Sequence, residues 1–343
     1  MKSESRVVNR VLITGGSGFI GSALARSLLA DGIHVRIASR VRNANLERLG
    51  AEWFPLPDLA NPVDWIPVID TMEAVVHLAG LAHRFETEQT GDWELYDAVN
   101  HQATKSLALA VKESLTVKRF LFMSTVRVHG NTKDFPINTN TPKKPITPYD
   151  KSKSDAEIST AQALQFSEIS WTVFRPVMVY GPGNRGNMAK LEFIMRNNVP
   201  IPVGRVPNKK SFLYIDNLIS AIKSYLLKPK VISGCFWLIA DKEILSTEEL
   251  LRTMSLPEAM NVPVRFIYLP NWILTWSAHI GDAFKRLGLP VPWNSEVKEK
   301  LLGDLYVDIE TTMEELDWQP PFTLKEGISR TYSGINNEAP RFK

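Results

Sequence analysis

Tyr149 and Lys153 stand four residues apart in Tyr149-Asp150-Lys151-Ser152-Lys153, a spacing that puts both side chains on one face of a helix. The pairing has a chemical use. A phenol with a reference pKa near ~10 is a poor acid–base group at neutral pH, and a neighbouring ammonium lowers that value by favouring the phenolate. The same ammonium can hold the ribose hydroxyls of a bound nucleotide, tying ligand binding to tyrosine activation. Lys151 points elsewhere on the helix and reads as solvated. Tyr-x-x-x-Lys occurs by chance in many helices, so its meaning depends on what accompanies it. In Phe122-Met123-Ser124-Thr125, a hydroxyl stands at the end of an apolar strand, suited to a place beside a reacting carbonyl. Thr125 is the expected hydroxyl and Ser124 the reserve.

A second constellation lies near the N-terminus. Thr14-Gly15-Gly16-Ser17-Gly18-Phe19-Ile20-Gly21 follows an apolar run and opens an amphipathic one. Glycine at such a strand-to-helix turn permits positive φ and lets backbone N–H groups approach a pyrophosphate at the helix N-terminus. A tight turn needs glycines for geometry too, and the strand-before, helix-after setting favours the phosphate reading. At the end of the next apolar run, a carboxylate would accept from a ribose 2′-OH, but the segment is Ile37-Ala38-Ser39-Arg40 with Arg42 close behind. A hydroxyl and a guanidinium suit a 2′-phosphate, so NADP(H) is the expected cofactor and NAD(H) the alternative, in which Arg40 is simply a solvated loop residue. Asp58, beside Leu59, is placed either to receive an adenine amino group or to make a turn.

These groups need a scaffold. Short β-branched or apolar runs recur at Val11-Leu12-Ile13, Val35-Arg36-Ile37, Ala74-Val75-Val76-His77-Leu78, Arg119-Phe120-Leu121-Phe122 and Trp171-Thr172-Val173-Phe174. Between them, apolar residues return at helical steps over Phe19 to Ala30, Trp93 to Ser114 and Tyr149 to Leu164. The rhythm predicts βαβ units, a parallel sheet and helices on both of its faces, an α/β fold. Beyond Tyr180 the texture changes to Gly-Pro-Gly and several X-Pro steps, with a strand-like Ser211 to Ile215 before a helix opening at Asp216. At 343 residues the chain suits two lobes. The expected nucleotide-binding domain is 1–180 plus about 211–240, and the substrate lobe 181–210 plus about 241–343.

Composition narrows the partners. Forty Lys+Arg against 37 Asp+Glu leave a net charge of +3 with no run of like charge, which disfavours nucleic acid and leaves a phosphorylated small molecule open. The lone Cys235 excludes an intramolecular disulfide and suits a reducing compartment, the cytoplasm being simplest. Met1 to Arg10 lacks an apolar signal core, and no run of about 18 uncharged apolar residues follows, so secretion and membrane spanning are disfavoured. His77 reads as a packed core histidine. His83, His101 and His129 lack a second ligand at metal spacing, so no metal is expected. The tryptophan-rich segment Asn271 to Trp276, continuing through Ile280 to Phe284, is an amphipathic helix read as lobe core or subunit contact rather than a membrane-surface helix.

Six features in order resemble the NAD-dependent epimerase/dehydratase family, the extended short-chain dehydrogenase/reductases. They are the glycine loop, Val76-His77-Leu78-Ala79-Gly80, Val99-Asn100 with Thr104, Ser124-Thr125, the Tyr149/Lys153 pair, and Arg175-Pro176 followed by Val179-Tyr180-Gly181-Pro182-Gly183. The resemblance implies a Rossmann-type doubly wound parallel sheet with a smaller, discontinuous C-terminal substrate lobe. It further implies that Gly15, Gly18, Phe19, Ile20 and Gly21, with Leu78, Ala79 and Gly80, line the cofactor crevice, while Asn100 supports the active-site geometry. A nucleotide-activated sugar would be the substrate, and a homodimer the assembly.

Later segments, among them Gly181 to Met188, Pro202-Val203-Gly204, Lys209 to Leu218, Leu302 to Asp308 and Leu316 to Pro321, resemble one branch, the UDP-N-acetylquinovosamine dehydrogenases that reduce the C4 ketone of UDP-4-keto-6-deoxy-N-acetylglucosamine. That resemblance implies a surface polysaccharide or O-antigen role, with Ser124, Thr125, Arg127 and Tyr149 at the sugar. It puts Asn187, Pro202 and Val203 near the nucleotide, and Lys210 or Arg265 near its diphosphate. Where the branch carries Ser-Ser-x-Lys-Val-Asn-Gly, this chain has Ser124-Thr125-Val126-Arg127-Val128-His129-Gly130, keeping a cation at 127 and replacing Asn with His129. A 4,6-dehydratase would carry an Asp-Glu pair where Val126 and Arg127 stand. A 4-epimerase would use the same Tyr and Lys while retaining NAD, and is the alternative to the expected reductase. A catalytically silent member would have lost Tyr149 or Lys153, and both are present.

Overall fold

The computed structural model describes residues 8–82, 93–184, 186–204, 207–289, 291 and 293–333. His83 and Arg185 lie outside the described residues. The strands are β1 (Arg10–Thr14), β2 (His34–Ser39), β3 (Glu52–Pro55), β4 (Ala74–His77), β5 (Arg119–Met123), β6 (Ser170–Pro176), β7 (Met178–Tyr180), β8 (Ile201–Gly204), β9 (Lys210–Tyr214), β10 (Cys235–Ile239), β11 (Ile244–Leu245) and β12 (Phe266–Leu269). The first helices are α1 (Phe19–Ala30), α2 (Ala44–Arg48), α3 (Ile66–Ile69), α4 (Trp93–Tyr96), α5 (Ala103–Lys112) and α6 (Pro148–Leu164). Then follow α7 (Asn187–Arg196), α8 (Ile215–Leu227), α9 (Thr247–Ser255), α10 (Asn271–Arg286), α11 (Ser295–Leu302), α12 (Glu310–Glu315) and α13 (Leu324–Tyr332).

The chain forms two compact units: Met1–Val177 with Ile215–Ala240 and Asp308–Pro321, and Met178–Tyr214 with Asp241–Val307 and Phe322–Lys343. In the first, seven strands make one sheet in the order β10-β6-β5-β4-β1-β2-β3, every adjacent pair parallel. The order reverses between β1 and β4, the switch point where Rossmann-type sheets open a crevice at their carboxyl ends. Parallel strands covered on both faces must be apolar throughout, and Val11, Leu12, Ile13, Val75, Val76, Phe120, Leu121 and Phe122 are all fully buried. The helical run predicted from Trp93 to Ser114 is interrupted by a π-helical turn at Asp97–Gln102, which carries Asn100.

Three boundaries differ from the sequence reading, the first being that Met178–Tyr180 belongs to the second unit. Lys210–Tyr214 pairs with β7 and β11 in a three-stranded sheet of the second unit. Asp308–Pro321 returns to the first unit, because its polar atoms find their partners there. Trp318 Nε1 donates to Ser220 Oγ at 2.7 Å, Glu315 accepts from Trp237 Nε1 at 2.7 Å, and Leu316 O accepts from Lys228 Nζ at 2.9 Å. In the second unit β8 pairs β12 in parallel, and Tyr180 donates to Leu324 O at 3.2 Å. No helix of the described residues is long and apolar enough to cross a membrane.

Candidate active site

At the end of β1 the chain turns through Gly15, whose φ of +69° is open to glycine. A Cβ there would meet Ala79 N at 2.8 Å, and one on Gly21 would meet Gly15 O at 2.4 Å. Both positions therefore require glycine for the loop to pass this close to β4 and to itself. Gly18 N donates to Gly15 O at 3.0 Å, and Gly18 caps α1 with no side-chain acceptor and no acidic residue in the first turn. The amides around half-buried Phe19 and Ile20 are thus left to an anion in the partial positive field of the helix end, a cradle that fits a dinucleotide pyrophosphate.

The end of β2 differs from the expectation of a 2′-phosphate receptor. Ser39 is buried, and its hydroxyl donates to Val41 O at 2.8 Å. The Arg40 guanidinium donates to Asp58 at 3.3 Å, and Arg42 forks onto Glu47 at 3.0 and 2.6 Å while stacking 5.1 Å from the Trp53 ring. Each cation there faces a carboxylate of its own chain, because Pro57-Asp58 and α2 bring acids to the strand end that spacing could not locate. Asp58 also closes a turn onto Ala60 N at 3.0 Å, and Leu59 packs into the hydrophobic core.

Across the switch point His77 is clamped between Thr14 Oγ1 at 2.7 Å and Thr104 Oγ1 at 2.9 Å. Burial first, and the nearby Lys153 charge second, push its pKa down to about 3, so it is a neutral core histidine as the sequence suggested. Leu78 and Ala79 are half-buried, and Gly80 is exposed at the crevice rim. A Cβ on Gly80 would meet Asn100 Oδ1 at 2.9 Å and Lys153 Nζ at 3.2 Å. Asn100 accepts from Leu81 N at 2.7 Å and donates to Leu81 O at 3.1 Å and Ser152 Oγ at 3.0 Å, locking this rim to α6.

Thr147, Pro148 and Asp150 start α6 where the chemistry needs it. Thr147 Oγ1 accepts from Asp150 N at 3.2 Å, and the Asp150 carboxylate accepts from Thr147 N at 3.1 Å, a reciprocal capping box with proline in the first turn. Lys153 Nζ donates to Met123 O at 2.9 Å and sits 4.7 Å from the Phe122 ring. Burial pushes its pKa down to about 8, with the Glu157 charge opposing. Beyond β5, Thr125 caps a 3₁₀ turn over Val126–His129, its Oγ1 accepting from Arg127 N at 3.3 Å, and its hydroxyl lies near enough to the Tyr149 phenol to lower its pKa. Burial raises that phenol to about 12, and the cation that lowers it most is Arg127, with the Asp150 charge opposing. Arg127 Nε donates to Asp150 Oδ1 at 2.7 Å. The Lys153 ammonium is turned to the Met123 carbonyl, and the charges acting on the phenol here include those of Arg127 and Asp150.

Sequence reading missed Glu157, a fully buried carboxylate under this floor. It accepts from Ser124 Oγ at 2.6 Å, Arg175 Nε at 2.9 Å, Arg175 Nη2 at 2.7 Å and Lys143 Nζ at 3.3 Å. The hydroxyl of Ser124, the reserve, donates its hydrogen bond to this carboxylate. The signal was present: Glu157 follows Lys153 by one helical turn, and a buried acid at that spacing implies cations from elsewhere.

The residues expected at the nucleotide lie in the second unit. Asn187 opens α7, Pro202 and Val203 lie in β8, and Arg265 is exposed just before β12. Lys210 donates to Lys300 O at 3.1 Å, and burial pushes its pKa down to about 8. The structure does bring metal-capable groups together: Asp97, His101 and Asp155 offer atoms within 4.8 Å of one another. Both His101 nitrogens are already engaged, by Asp97 at 2.7 Å and Ser159 at 2.8 Å.

Sheet topology, glycine cradle and the Thr125–Tyr149–Lys153 floor together define an enzyme of the extended short-chain dehydrogenase/reductase type. The chain belongs to the NAD dependent epimerase/dehydratase family, whose model matches residues 11–235. It is 30% identical over 331 residues to the UDP-glucose 4-epimerase of Vibrio cholerae, covering 96% of each chain. It is 27% identical over 330 residues to the N-acetyl-alpha-D-glucosaminyl-diphospho-ditrans,octacis-undecaprenol 4-epimerase of Escherichia coli O157:H7, covering 94% of each. The structure of UDP-glucuronic acid 4-epimerase from Bacillus cereus, solved with NAD, matches with a TM-score of 0.73 at 21% identity, covering 95% of this chain and 98% of that one. These relatives are 4-epimerases, not the C4 reductases that the later motifs suggested.

Proposed function

We propose that the chain is a 4-epimerase of a diphosphate-activated sugar, working with retained NAD rather than exchanging NADPH. The observation that carries this reading is likeness along the whole chain to the Vibrio cholerae UDP-glucose 4-epimerase, at 96% of each length. The site agrees in its chemistry. Dehydration would need an acid and a base after Thr125, and those places hold buried Val126 and the cation Arg127. Arg40 and Arg42 each meet a carboxylate of this chain, and the similar Bacillus cereus epimerase was solved with NAD, which together favour NAD.

Gly15, Gly18 and Gly21, with the amides of Phe19 and Ile20, cradle the pyrophosphate. Lys153, beside Gly80, holds the nicotinamide ribose. When bound, NAD supplies the hydride acceptor for C4 of the sugar and the donor for its return. Tyr149, as phenolate, takes the proton from the C4 hydroxyl and later gives it back. Thr125, beside the phenol, steadies the C4 oxygen between the two steps. Arg127 favours the ionised tyrosine, and Asn187, Pro202 and Val203 serve the nucleotide.

The experiment is to incubate the purified protein with UDP-glucose or UDP-N-acetylglucosamine without added cofactor and follow the sugar by NMR. The C4 epimer is expected, with NAD released on denaturation. No epimer from either sugar, together with stoichiometric NADPH oxidation by UDP-4-keto-6-deoxy-N-acetylglucosamine, would overturn this reading in favour of the reductase.

A further inference from the structure

Helix α10 is held from one side only. Leu274, Ala278 and Gly281 are buried, and Gly281 lies so close to its neighbour that a Cβ would stand 1.9 Å from Trp293 O. Trp293 Nε1 donates to Ser277 Oγ at 3.1 Å, which sets the rotation of the helix about its axis. The opposite face is apolar and faces solvent: Trp272 is 70% exposed, Trp276 65%, Ile280 39% and Phe284 45%, with Leu287 and Leu289 exposed beyond the last turn. The four-residue step makes one continuous stripe from Trp272 to Phe284, about 18 Å long. This corrects the lobe-core reading of the tryptophan-rich segment, since its large residues point away from the core.

The fixed charges of the helix are two cations in its last turn and one carboxylate, beside which His279 lies. Lys285 and Arg286 are exposed in the last turn, and the helix's one carboxylate, Asp282, is folded back onto Ser295 N at 3.1 Å. Lys285 also meets Glu296 at 3.2 Å, an exposed pair that separates at little cost. A second copy of the same face would bring aromatic to aromatic and place the exposed Lys285 and Arg286 of both copies at its ends. Tryptophans along an apolar face that ends in lysine and arginine match the chemistry of a helix lying in the headgroup boundary of an anionic bilayer.

We propose that α10 docks the second unit on an anionic membrane surface, with Trp272, Trp276, Ile280 and Phe284 at the acyl boundary and Lys285 and Arg286 among the headgroups. The inference goes beyond the epimerase reading and does not depend on it, because the test reads membrane binding rather than turnover.

The test is co-sedimentation with vesicles of phosphatidylglycerol and phosphatidylcholine, compared with phosphatidylcholine alone. Binding should be roughly tenfold tighter or more to the anionic vesicles and accompanied by a blue shift of tryptophan emission. Trp272→Ser with Trp276→Ser should weaken it at least about tenfold. Lys285→Gln with Arg286→Gln should remove the preference for anionic lipid while leaving the melting temperature and turnover of a soluble sugar nucleotide unchanged. Failure to sediment with either vesicle would overturn the proposal. So would a concentration-dependent dimer, seen by equilibrium ultracentrifugation, that the tryptophan substitutions abolish without any vesicle binding.

Discussion

Replacing Arg127 with methionine keeps the length of the side chain and removes its charge. In the free protein the Tyr149 phenol stands at about 12, so forming the phenolate at pH 7 costs about 7 kcal/mol. Bound oxidised nicotinamide brings a further positive charge and lowers that cost, leaving Arg127 as one increment within it. An opposite charge within a few ångströms moves a pKa by about one to three units. The Arg127 side chain is 42% exposed, which screens it toward the lower end, about one unit. Its loss also leaves the Asp150 carboxylate, 3% exposed, without its 2.7 Å partner, and that charge opposes ionisation of the tyrosine. The acidic limb of the kcat–pH profile should therefore move up by about one pH unit. At the foot of that limb the variant should be about tenfold slower, at high pH the two enzymes should converge, and Arg127→Lys should recover most of the difference. The assay is 4-epimerisation across pH 5.5 to 9.5, with a deuterium isotope effect at C4 confirming that chemistry limits the rate. Superimposable profiles, or an equal loss at every pH, would refute the electrostatic role assigned to Arg127.

Gly21→Ala puts a Cβ 2.4 Å from Gly15 O and must displace the loop, so calorimetric titration should show NAD affinity falling at least about tenfold and melts a loss of about 1–3 kcal/mol. Lys153 sits depressed to about 8, so its ammonium discharges as pH rises through that value; cofactor affinity of the free enzyme should fall over the same range, and Lys153→Met should lower affinity and kcat together and abolish the pH dependence. His77, at about 3 in the fold against about 6.5 unfolded, binds a proton in the unfolded chain first, so its contribution is present above pH 6.5 and lost as pH falls toward 3. That loss amounts to about 5 kcal/mol, and urea melts of His77→Gln should show a correspondingly shallower acid dependence.

Sequence by itself determined what period and backbone permission encode. Fully apolar runs at Val11 to Ile13 and Phe120 to Phe122 have no stable place except a sheet covered on both faces, and glycines at 15, 18 and 21 have few uses other than a close turn into a helix. Tyr149 and Lys153 had to share a helix face, since four residues make about one turn. Tertiary structure alone decided which charges meet. Glu157 gathers Ser124, Lys143 and Arg175 from three separate segments, Arg40 finds Asp58, Lys153 donates to the Met123 carbonyl, and the Arg127 charge lowers the tyrosine's pKa. The same holds for α10, whose amphipathic pattern states that one face differs from the other but not which face is packed. Periodicity reports the environment that a residue prefers within its own element, whereas the partner of an ion pair or an apolar stripe is set by segments dozens of residues away, and their approach is fixed only once the elements have packed.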